Sequence, residues 1–194
     1  MTITSTAGNV REPNEVTSSV EREECLLRWA AIFFALAVLI HNSDHVRRGA
    51  GALNLDVFWA GTLALTLEVG VVILVFLRHR LAPLAAIAVG FPLAIGYVIV
   101  HFTPDHGLLS DSLLSSGMAV SIVAAGLETV GALALGAVGA WIVRRRGLAA
   151  FANGVRSEPS SRVSLGHVLR HPIVFALIAG NAVILAVTFV QLTQ

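Results

Sequence analysis

The sequence predicts an all-α integral membrane protein with five transmembrane helices, four forming a core and the fifth packed alongside. Three observations predict it. Hydrophobic residues make up 56% of the chain and charged ones 13%, well under the roughly 25% charged residues of a soluble domain. The apolar residues fall in runs near the ~20 residues that a membrane crossing needs. The basic residues, all arginines, gather between particular runs.

The spans read as Leu26–Val46, Val57–Leu77, Leu81–Phe102, Gly117–Val143 and Ile173–Val190. Residues 1–24 are polar, rich in Ser, Thr and Glu, and are expected to be a disordered cytoplasmic tail. The first apolar run begins late and no small-residue cleavage site follows it, unlike a signal peptide. Residues 25–143 then form a four-helix membrane core. Residues 144–172 form a basic linker, and 173–194 the fifth helix with a short C-terminus. Arg78 and Arg80 lie in the second-to-third link, and Arg144, Arg145, Arg146, Arg156, Arg162 and Arg170 in the fourth-to-fifth. The first-to-second link has only Arg47 and Arg48. By the positive-inside rule the N-terminus is cytoplasmic and the C-terminus outside, in the plasma membrane.

The linker offers two readings. Its arginines with Leu148, Phe151 and Val155 could lie on anionic lipid, or it is simply a solvated connection, with Ser157–Ser164 loop-like. A net charge of +1 and the lack of an arginine stripe interleaved with aromatics argue against a nucleic-acid partner. The single cysteine, Cys25, excludes an internal disulfide and CxxC motifs.

Polar chemistry interrupts the apolar runs at LAVLIHNSDHVRRG, Leu36 to Gly49. Only twelve apolar residues, Trp29 to Ile40, precede the first histidine. At about 1.5 Å per residue from Arg28, His41 lies about 20 Å and His45 about 26 Å into a hydrocarbon core about 30 Å thick. His41 and His45 are helical neighbours at i, i+4, with Asp44 at the edge of the same face. The third span ends in HFTPDHG, carrying His101, Asp105 and His106, with Pro104 stopping the helix. Glu68 and Glu128 break the second and fourth spans. Charged groups at such depth are costly, and they usually face a bundle interior or a wet cavity. The spacing from His41 to Glu68 and from His101 to Glu128 is 27 residues in each case, with Gly70 and Gly131 following. A parallel 2+2 duplication would produce that pattern.

Imidazoles and carboxylates with no thiol nearby suit a divalent transition metal, zinc or iron first. The expected ligands are His41, Asp44, His45, His101, Asp105 and His106. Glu68 and Glu128 are the candidate catalytic groups, acting as proton acceptors. A membrane-embedded metal-dependent enzyme acting on a lipid-like or small apolar substrate is the first reading. The alternatives are a metal-ion or proton-coupled transporter, a haem protein with His41 and His101 as axial ligands, and a structural accessory subunit. The same groups without metal would make a proton relay. Asn181 in the fifth span is expected to hydrogen-bond a neighbouring helix. PDHG alone would also make an ordinary interfacial turn.

Overall fold

A computed structural model describes residues 13–49, 54–114, 118–153 and 163–194. The chain forms α1 (Pro13–Arg48), α2 (Leu55–Phe76), α3 (Ala82–Phe102), α4 (Ala119–Arg146), the short α5 (Leu148–Asn153) and α6 (Leu165–Leu169), and α7 (Pro172–Thr193). There is no strand among the described residues. The five long helices are each apolar and long enough to cross a membrane, and they coincide with the five expected spans. Large apolar side chains point outward on all of them, among them Leu36, Leu63, Ile95, Val123 and Phe175. Such a surface fits a lipid environment rather than water.

α1 and α4 are the most buried of the five, and α4 packs against both α1 and α3. Glycine sets that approach. A Cβ on Gly90 of α3 would lie 2.6 Å from the Ala132 carbonyl oxygen, and one on Gly139 of α4 would lie 2.6 Å from the Pro83 carbonyl oxygen. Gly131 faces the Cα of Phe34 on α1 in the same way, at 3.1 Å. With lipid outside the bundle, association rests on close van der Waals packing, and small residues permit it. α7 lies against α1 and α2. Asn42 donates from Nδ2 to Oδ1 of Asn181 at 2.7 Å, and Asn181 donates in turn to the Leu177 carbonyl. The expected bond from Asn181 is therefore present.

The first helix is longer than the sequence suggested. It starts at Pro13, so residues 13–24 of the expected disordered tail are helical. Carboxylates hold the added turns. Glu23 is buried and accepts from Arg146 Nε at 2.6 Å, with Arg145 3.7 Å away, while Glu24 lies between Arg28 (3.4 Å) and Arg78 (3.7 Å). These pairs gather the ends of α1, α2 and α4 into one arginine-rich end of the bundle. Residues 1–12, Val155, Arg156 and Arg162 lie outside the described residues. In the linker, Phe151 of α5 and Val168 of α6 are buried, and Leu148 is exposed.

Candidate functional site

The site forms at the opposite end, where α1 and α3 end and the link after α3 folds back. That link caps α3. The amides of Asp111 and Leu113 donate to the carbonyls of Val100 and His101, which have no acceptor role left inside the helix. Leu113 is fully buried and anchors the return. The fold-back delivers the Asp111 carboxylate to the end of α1. Arg48 grips it with two nitrogens, Nη1–Oδ1 at 2.7 Å and Nη2–Oδ2 at 2.5 Å. Only 4% of the Arg48 side chain is exposed, so this is a buried ion pair. Burial alone would raise the Asp111 pKa, but the Arg48 and His101 hydrogen bonds and the Arg48 charge outweigh it and hold the carboxyl well below its usual range.

Behind this pair three imidazoles touch. The His41 ring lies 4.6 Å from that of His45 and 4.7 Å from that of His101, centre to centre. The hydrogen-bond partners assign the tautomers. Arg48 donates from Nη2 to His45 Nδ1 at 2.6 Å, which leaves the His45 proton on Nε2. That proton points to His41 Nε2, 3.1 Å away, so a neutral His41 carries its own proton on Nδ1. His101 Nδ1 faces the Asp111 carbonyl at 3.2 Å and its carboxylate at 3.4 Å, and so donates. Glu128 of α4 brings Oε2 to 3.5 Å from His41 Nε2. Further along, the Tyr97 hydroxyl of α3 donates to Glu68 Oε1 of α2 and also interacts with Glu128.

These groups form one wall of a cavity of about 240 Å³ between α1, α2, α3 and α7. Its other walls are mainly apolar, with Phe58, Leu65, Leu93, Ile184 and Leu185 among them. Four buried polar atoms on residues lining it have no hydrogen-bond partner among the described residues: His41 Nδ1, Glu68 Oε2, Glu128 Oε2 and Thr188 Oγ1. An orphaned buried polar atom costs about 1–3 kcal/mol, so four around one space mark a seat for a polar group.

Five of the eight residues singled out by sequence meet here: His41, His45, His101, Glu68 and Glu128. Asp44 is adjacent and buried, but its carboxylate is engaged by two guanidiniums, Arg47 at 2.7 Å and Arg48 at 3.3 Å. It is therefore the anchor of an ion network that also reaches Ser121 of α4 through Arg47, at 3.0 Å, and not a free ligand. Asp105 and His106 are exposed and stay in the turn. Asp105 accepts from the Gly107 amide, and His106 contacts Thr103 and the Pro104 carbonyl. The 27-residue spacing does bring His41, His101 and both glutamates together, but the Asp-His pairs that follow the two leading histidines part company. Among the described residues no group of three or more His, Cys, Asp or Glu side chains has the geometry to hold a metal ion. The rings of His41 and His101 are in edge-to-face contact, which leaves no gap for a porphyrin between them.

Sequence reasoning missed Asp111, the buried role of Arg48, and Tyr97. Tyr97 had a signal, being the chain's one tyrosine and lying in the middle of an apolar span. The fold and site together define a multi-pass helical bundle with a titratable wall along an internal cavity. No protein-family model, curated protein or solved structure matches the chain.

Proposed function

We propose that this integral membrane protein, its arginine-rich end in the cytoplasm, binds a small molecule with an apolar body and a polar head and exchanges a proton with that head. The observation that carries the reading is the set of four partnerless polar atoms around an otherwise apolar cavity. His41 Nδ1–H offers a donor to the head, and the glutamate oxygens offer acceptors. The apolar body would lie against Phe58, Leu65, Ile184 and Leu185. Glu128 Oε2 lies 3.5 Å from His41 Nε2, so a proton on either residue changes the field at the other. Tyr97 couples Glu68 to the same pair. His45 receives the Arg48 hydrogen bond at Nδ1 and directs its own proton to His41, so the exchange is assigned to the Glu128–His41 and Glu68–Tyr97 pairs. From Val69 to Phe76 α2 is apolar, which favours a closed exchange site over a continuous conduit.

Infrared difference spectroscopy of the purified protein across pH tests this. A carboxyl C=O band should titrate, disappear in Glu128→Gln and shift in Tyr97→Phe. No titrating carboxyl band anywhere in the pH range where the fold persists would overturn the reading.

One observation favours the metal reading in second place. The His41 and His45 Nε2 atoms are 3.1 Å apart, close to the spacing of two ligands each about 2.0–2.1 Å from one ion. Against it, Arg48 donates to His45 Nδ1, so the proton sits on the nitrogen that would have to bind. Elemental analysis of protein purified without chelator separates the two. About one equivalent of zinc or iron, lost in both His41→Ala and Glu128→Gln, would replace proton exchange by a metal centre.

A further inference from the structure

A second recess opens at the arginine-rich end, remote from the histidines. It is a cleft of about 330 Å³ between α1, α2, α6 and α7, lined by Arg28, Arg78, His167 and His171 with Trp29 and Phe76 among its apolar residues. Its polar groups are under-used. Arg28 Nε and His171 Nδ1 are buried without a hydrogen-bond partner among the described residues. Glu24 is divided between Arg28, whose Nη2 donates to it at 3.4 Å, and Arg78 at 3.7 Å. Among the described residues two guanidiniums thus share one carboxylate, leaving an excess positive charge beside an apolar wall.

The backbone supplies an independent observation. Arg78 follows the last turn of α2 at φ 51°, the one non-glycine residue at positive φ among those described. The His79 amide bonds the Leu74 carbonyl and the Arg78 amide bonds the Val75 carbonyl, the pattern of a helix end that normally places glycine at this position. A side chain there is strained. Strain of this kind persists where the side chain has work to do, and this one lines the cleft.

We infer that this cleft is a binding site for the phosphate of an anionic phospholipid. The phosphate oxygens would accept from Arg28 Nε, the Arg78 guanidinium and His171, and the acyl chains would run down the apolar surface beside the exposed Trp29. Basic recesses between membrane helices suit such headgroups because charge and hydrogen-bond donors coincide with an apolar flank.

The test uses the full chain in mild detergent, with bound lipid counted by native mass spectrometry. Phosphatidylglycerol should be retained at least tenfold better than phosphatidylcholine. Arg78→Gly should abolish that preference while melting no lower than wild type, since glycine relieves the backbone. Arg28→Gln should weaken it with no change in the carboxyl infrared band of the distant cavity. Equal retention of the two lipids, or an unchanged preference in both variants, would overturn the inference. Stabilisation by inorganic phosphate with no lipid preference would also overturn it, by assigning the cleft to a soluble anion.

Discussion

Arg48 decides what its neighbours can do. It is buried at the end of α1 and bonds Asp111 twice, His45 once and Asp44 at longer range. Removing one partner of a buried pair leaves the other charge uncompensated, at a cost of roughly 3–5 kcal/mol. Asp111→Asn should therefore lower the melting temperature strongly, whereas Asp105→Asn, on the exposed turn, should leave it nearly unchanged. The pH dependence has a defined sign. The folded Asp111 carboxyl titrates below its usual range, so its contribution is fully present above the unfolded value of about 3.9. It is lost as pH falls through the lower, folded value. Melting curves recorded against pH should show wild type well above Asp111→Asn at neutral pH, with the gap closing only in strong acid. A gap that persisted unchanged through strong acid would mean the carboxylate is not the source of the difference.

At the scale of the helices, the seam between α3 and α4 is the part of the bundle least able to accept added volume. A methyl on Gly139 would meet the Pro83 backbone oxygen, and Pro83 lies on a helix that cannot shift alone. Gly139→Ala should cost about 1–3 kcal/mol, as overpacking does. Gly126→Ala, on the same helix but with open space around its Cβ, should be neutral or stabilising, because alanine exceeds glycine in helix propensity by up to about 1 kcal/mol. Thermal unfolding in detergent distinguishes a packing seam from a general intolerance of substitution in α4. The helices themselves were legible in the sequence, since a run of apolar residues is a local property and its length is fixed by the bilayer. The buried histidines and glutamates were legible for a related reason: a charge inside such a run is costly enough to need a purpose. Asp111 was not legible, because its position depends on the link folding back over the end of α3 and on Leu113 filling a pocket. Asp44 looked like a ligand because helical spacing places it beside His41 and His45, but spacing cannot foresee which arginine will claim a carboxylate. The early start of α1 was hidden in the same way, in pairs such as Glu23 with Arg146 that join residues 123 apart.

At the scale of the whole molecule, the separation of charge gives the protein a direction. One end gathers Arg28, Arg78, Arg145 and Arg146 around Glu23 and Glu24; at the other, the arginines are neutralised by Asp44 and Asp111. The positive-inside rule counts arginines near span ends and gives little weight to Asp and Glu, so the proposed orientation rests on the number of arginines at each end. Impermeant maleimide labelling in intact cells, in a Cys25→Ser background, puts this to the test. Leu108 is 73% exposed in the link after α3, so Leu108→Cys should label without permeabilisation. His79→Cys, in the turn after α2, should label only once the membrane is opened. Ser43→Cys reports depth. Ser43 is exposed on the bundle surface among the described residues, five residues before the end of α1, so protection there reports lipid covering it. Labelling at position 108 with protection at 43 would put the histidines below the membrane surface, as proton exchange with an apolar-bodied ligand requires. Free labelling at both would place that end of α1 in water. The cavity would then open to bulk solvent, and its four partnerless atoms would need nothing more than water to satisfy them.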